Sequence, residues 1–399
     1  MSSLLFVAFS AQATNYVFPD YMPLTCSGAL GRYTCQSLIL IVGDTVTVQS
    51  TKPAIIQVNG NFNVAQGVQI NAAGAAADLS IQSFSRSVFG SNVKINANLT
   101  SVGDIALGSE SAISGNISTD SGVISVGDKS QLKGDIKTNN ALIYLGDGVK
   151  ITGSVSSASS GVISVGNGST VSGALTTAVG AINVGYDSVV GPITSTSAGA
   201  VTVGARSTVK GDITTGAGAV SVGDSGYIDG SITTVAGVVT VGVGTTVRGS
   251  INNLDTSKAG AVNINSQSIV VGYILTKAGA ITIAANGQVG GGLGTKDGAI
   301  TVGTAAKIGG SVCTDNSGAV TVGAIATVGG NVETNTAGAI TIGSKAIISG
   351  GVIVHGAGAK VVSADASVGN HIVSSCPTAA PNTTWRTLKS RSWRQLLIR

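Results

Sequence analysis

An apolar-x-apolar triplet followed by a glycine returns every 19 or 20 residues through most of this chain. The glycines are Gly108, Gly127, Gly146, Gly166, Gly185, Gly204, Gly223, Gly242, Gly303, Gly323 and Gly343, with Asn265 and Ala284 filling the two gaps. A second glycine often follows seven residues later, as at Gly115, Gly134, Gly211, Gly249, Gly291 and Gly330. An aliphatic residue comes two positions after that. Self-similarity at this period is the mark of a solenoid, in which each repeat is too small to bury a core alone and must stack on its neighbours.

The pattern inside the repeat selects the type of solenoid. Apolar residues alternate, as in Val201-Thr202-Val203 and again at Val209, Gly211 and Ile213. Alternation with period two belongs to a strand, and no stretch keeps the 3.6 period of a helix. The fold class expected is all-β: a single-stranded parallel β-helix of about 14 coils with an N-terminal disulfide-containing cap. At about 4.8 Å per coil the rod measures roughly 65–70 Å. The consensus glycines are expected at corners that need a positive φ or a close backbone approach.

Composition removes the competing classes. Glycine is 58 of 399 residues, charged residues are 10% and aromatics 4%, yet 43% is hydrophobic. That is too apolar for a disordered chain. Six prolines and no Gly-X-Y period exclude collagen. No apolar run approaches the length of a membrane-spanning helix. Five cations in the last fifteen residues (Arg386, Lys389, Arg391, Arg394 and Arg399) account for more than the whole net charge of +4. The rest is nearly neutral, so no nucleic-acid partner is expected.

The domain reading follows. Residues 1–13 read as a signal peptide, with the apolar core Leu4-Leu5-Phe6-Val7-Ala8-Phe9 and the cleavage-site pattern Ala11-Gln12-Ala13. Residues 14–60 are the cap, 61–376 the solenoid and 377–399 a basic, disordered tail. The expected location is therefore secreted or at the cell surface. Cysteine usage agrees with an oxidising compartment. Cys26 and Cys35 flank a Gly-containing hairpin loop and are the first expected disulfide; Cys313 and Cys376 are a second candidate pair.

Three sets of residues were candidates for function. The middle residue of the triplet forms an outward column: Ser125, Tyr144, Ser164, Asn183, Thr202, Ser221, Thr240, Asn263, Thr282, Thr301, Thr321 and Thr341. Such a ladder has two readings, an ordered surface for ice or crystalline polysaccharide, or a solvent face tolerant of β-branched polar residues. Asp128, Asp147 and Asp224 follow corner glycines, and Asp135 and Asp212 occupy another column. Glycoside hydrolysis needs carboxylates converging roughly 5–9 Å apart; one stacked pair without a third acid reads instead as solvated corners. His355 and His371 have no flanking Cys or carboxylate at ligand spacing, so neither a metal nor a cofactor is expected.

The N-terminal region adds a resemblance. Cys26, Tyr33-Thr34-Cys35, Leu38, Gly43-Asp44-Thr45-Val46, the run from Lys52-Pro53 to Asn59-Gly60, Ile70-Asn71-Ala72 and Ala77-Asp78-Leu79 carry it. This layout resembles exported MshQ-like proteins of MSHA-type (type IV) pilus biogenesis. The repeats are similar to the bactofilin, or polymer-forming, β-helix. The resemblance implies a non-catalytic surface-assembly role, with pilus or other surface proteins as partners or self-association through the solenoid ends.

Overall fold

The structure is a computed structural model, and it describes residues 12–49, 52–254, 256 and 260–370. The chain winds into a parallel β-solenoid of about 17 turns with three faces. One turn shows the plan. Val201–Val203 lies on face one, Thr208–Val209 on face two and Ile213–Thr215 on face three; the chain then returns to face one at Val220–Val222. Each strand pairs in parallel register with the same strand one winding on, as in Val201↔Val220, Thr208↔Tyr227 and Ile213↔Ile232.

The core is the direct product of the alternation. Val201, Val203, Val209 and Ile213 of this turn are at most 1% exposed, and the equivalent aliphatics of the other turns stack above and below them. Successive side chains of a strand point to opposite sides, so Thr202 and Thr214 face out.

The stack is longer than the 14 coils expected. The early windings carry a longer and less regular period, with Leu38 paired to Phe62 and Phe62 to Ser87. Ile41 and Ala65 occupy the place of the repeat's corner glycine, which first appears at Gly90. Winding begins within residues 14–60: Asn15–Phe18 pairs in parallel with Thr45–Val48, and Arg32–Cys35 with Ala54–Val58. Larger side chains fill this end, with Phe18 edge-on to Tyr33 and Phe62 edge-on to Phe89.

The expected hairpin is present and closes the first edge of face three. Cys26–Ala29 runs antiparallel to Arg32–Cys35, joined by Leu30 and Gly31 at φ 52° and 79°. Two successive positive φ values are those of a type I′ turn, whose twist matches the flanking strands. Cys26 and Cys35 lie directly opposite and are disulfide-bonded.

The corners depart from one half of the expectation. Gly204 does not occupy the left-handed region; a Cβ there would come within 2.6 Å of Gly185 C and Tyr186 N on the turn below. The left-handed position comes two residues later and is mostly filled by other residues, among them Lys129, Asp187, Arg206 and Ser225. The glycine after face one therefore answers to inter-turn spacing, while at the second consensus position Gly115, Gly134 and Gly211 do take positive φ values of 127°, 158° and 144°.

Candidate functional surfaces

The outward ladder of face one is real and in register. Ser125 pairs with Tyr144, Tyr144 with Ser164, Thr202 with Ser221, Ser221 with Thr240, Thr282 with Thr301, Thr301 with Thr321 and Thr321 with Thr341. Thr202, Ser221, Thr282, Thr301, Thr321 and Thr341 are exposed, and Thr240 is half-buried. A second outward column runs beside it, two residues earlier: Ala200, Ala219, Val238, Ala261, Ala280, Ala299, Ala319 and Ala339. Between Ala200 and Thr341 neither column holds a charged side chain. The result is a flat, uncharged strip with repeats of about 4.8 Å along the axis and about 6.6 Å across it. Tyr144, 45% exposed, interrupts its early part.

The corner carboxylates are structural staples. Asp128 accepts the backbone N–H of Asp147 at 2.9 Å, and Asp147 that of Asn167 at 2.7 Å. Asp224 takes the N–H of Val243 at 2.7 Å. In the other column Asp135 binds the Ser154 N–H at 2.8 Å and Asp212 the Ser231 N–H at 2.7 Å. Each carboxylate thus ties one turn to the next. The stacked pair Asp128 and Asp147 exists as the repeat implied, with an oxygen of each committed to backbone.

Two buried polar ladders escaped the sequence reading. The Ser188 hydroxyl accepts the Ser169 N–H at 3.3 Å and donates to the Gly166 carbonyl at 3.1 Å. Ser207 repeats this against Ser188 and Gly185, at 3.0 and 2.8 Å. At the corner after face three, Thr295 donates to the Gly279 carbonyl at 3.2 Å and accepts the Gly298 N–H at 2.9 Å. Unpaired polar groups in a core are costly, and these hydroxyls satisfy the backbone where the chain turns. The signal was the small residue three positions after the corner glycine, which repeats as Ser130, Ser169, Ser188 and Ser207.

The C-terminal end holds one cluster. Face-three positions that are open in the earlier turns are buried at Gly294, Cys313 and Glu333, the last two 2% and 4% exposed. Glu333 Oε1 lies 2.6 Å from His355 Nε2, while its Oε2 is buried without a hydrogen-bond partner. His355 thus does meet a carboxylate, one winding earlier. Cys313 is disulfide-bonded; Cys376 and His371 lie outside the described residues, as do residues 1–11 of the signal-like segment and the basic tail. Among the described residues no three His, Cys, Asp or Glu side chains gather as a metal site, and no helix is long and apolar enough to cross a membrane.

Among the described residues the Arg–Asp ion pairs are exposed. Arg206 hydrogen-bonds Asp187 through two nitrogens and holds that carboxyl below its usual range. Asp365 is lowered to about 2 by hydrogen bonds from the Ser344 and Ser363 hydroxyls and the Lys345 N–H; those from Ser344 and Lys345 join its turn to the one before.

These features define a class, the long parallel β-solenoids. Compared with known protein families, characterised proteins and solved structures, the chain matches none.

Proposed function

We propose that this protein is a non-catalytic, exported structural rod, a stalk or surface-assembly component related to MshQ-like pilus or adhesion proteins. The observation that carries this reading is the continuity of the stack. Parallel pairing runs in register along all three faces, and side-chain staples join successive turns at the corners. Such a body supplies length and stiffness, because every turn is held by both neighbours. The Cys26–Cys35 disulfide suits an oxidising compartment. Protease treatment of intact source cells tests the placement. An exported rod is degraded from outside, whereas a protected protein recovered with the cytosol overturns the proposal.

A second reading rests on the uncharged Thr/Ala strip of face one. Regular hydroxyls and methyls on a flat face suit an ordered partner, either ice or a crystalline polysaccharide. Ice-recrystallisation and insoluble-glycan pull-down assays, with Thr301→Lys as the disrupted control, decide it. Activity lost in the variant supports the reading, and no activity in the parent removes it. Self-association through the ends, the bactofilin-like alternative, would appear as filaments instead of single rods by electron microscopy.

A further inference from the structure

Face two carries a different surface in its early turns. The outward column there reads Lys94, Ala112, Gln131, Lys150, and the neighbouring column reads Asn96, Ser114, Lys133. Ala112 and Ser114 are small, and longer side chains stand on the turns below and above them. The step leaves a notch of about 160 Å³ between Lys94 and Lys133. Its floor is the strand Ala112–Ser114, whose middle residue Ile113 points into the core at 2% exposure.

We propose that this notch binds one acidic sugar unit of a uronate-containing polysaccharide. Lys94, Lys133 and Lys150 are exposed, and among the described residues none has an acidic partner. Two cations facing each other across a depression favour an anion between them. The remaining lining is hydroxyl and amide, from Ser114, Gln131 and Asn96, which suits the hydroxyls of a sugar ring. Asn96 is held in place by its own amide, which donates to the Ala72 and Gly74 carbonyls at 3.0 and 3.1 Å. The flat β floor accepts a ring lying along the strand. The carboxylates at the adjoining corners, Asp128 and Asp135, each give an oxygen to the next turn's backbone; Glu110 stands at the corner leading into Ala112. Nucleic acid fits less well, since the notch has no aromatic side chain on which a base would stack.

Calorimetric titration of the full chain with trigalacturonate, and with neutral maltotriose for comparison, tests the proposal. Saturable binding of the uronate, weakening as salt rises, is expected, with maltotriose at least tenfold weaker. Lys94→Gln and Lys133→Gln each lower the affinity at least fivefold. Ala112→Met fills the notch without changing charge and lowers it at least tenfold. Lys307→Gln, far along the same face, leaves it unchanged. All four positions point outward, and circular dichroism checks that the variants keep their fold. Absence of uronate binding, equal binding of maltotriose, or equal losses from Lys307→Gln and Lys133→Gln would each overturn the assignment.

Discussion

Replacing Gly204 with alanine isolates what the corner glycines do. The added Cβ would stand 2.6 Å from Gly185 C and Tyr186 N, both backbone atoms of the turn below. Carbon contacts are optimal near 3.5–4.0 Å, so the turns must separate locally by the better part of an ångström. Overpacking of this kind costs about 1–3 kcal/mol. The Gly204 N–H, which donates to Val184 at 2.8 Å, is among the bonds that stretch. Gly244→Ala is the matched control. Gly244 has φ 64°, yet a Cβ there meets nothing closer than Ser225 Oγ at 3.9 Å. Its column accepts Arg206 and Ser225 at φ 57° and 56°. Its left-handed penalty is about 1–2 kcal/mol, and the unfolded-state entropy that alanine removes, about 0.4–1 kcal/mol, offsets both substitutions alike. The expected order is therefore Gly204→Ala worse than Gly244→Ala. Hydrogen exchange read by mass spectrometry over residues 184–209 and 222–247 measures the local opening equilibria. A loss of about 2 kcal/mol accelerates exchange roughly thirtyfold. Equal effects, or a larger effect at Gly244, would refute the spacing argument and return the glycines to a φ requirement.

Three further outcomes follow from the same contacts. Ser188→Ala removes a buried hydroxyl that both accepts from Ser169 and donates to Gly166; it should cost about 1–2 kcal/mol, seen as faster exchange near residues 166–190, and no change would mean that the ladder is ornamental. Cys35→Ser together with Cys26→Ser opens a short loop and should destabilise the first windings by about 2–3 kcal/mol, read as earlier proteolysis within residues 15–58 and unaltered protection beyond Gly108. Asp365 has its folded pKa lowered to about 2 from 3.8, so its contribution is present above about pH 4 and is lost as pH falls through 2. Methyl resonances of Val362 and Val368 should broaden or shift over that window, and Asp365→Asn should abolish the transition.

The architecture was legible because one rule repeats. Val201, Val203, Val209 and Ile213 alternate with polar residues, and nineteen residues later an aliphatic residue returns at each place, so register and core could be written from the string. The count fell short where the rule loosens. Leu38, Phe62 and Ser87 stack in one column, but 24 or 25 residues separate them, and Ile41 and Ala65 stand where later turns have the corner glycine. Corner aspartates looked solvated because their partners, backbone N–H groups one winding on, carry no letter. His355 looked solitary for the same reason of distance: Glu333 is a neighbour through the stack, not along the chain. The notch on face two depends on Ala112 being smaller than Lys94 and Gln131, a relation between turns that a scan along one repeat does not bring together.

Spin-label distances along face one test the stack itself. Labels replace outward residues of the ladder, so they perturb neither the core nor the disulfides. Thr202 and Thr301 are five windings apart, Thr202 and Thr341 seven, and Ser125 and Thr341 eleven, by the paired registers. At about 4.8 Å per winding the separations should be about 24, 34 and 53 Å, growing in proportion to the number of windings. Distances that fail to rise with winding number, or a Ser125–Thr341 separation near 30 Å, would contradict the parallel stack.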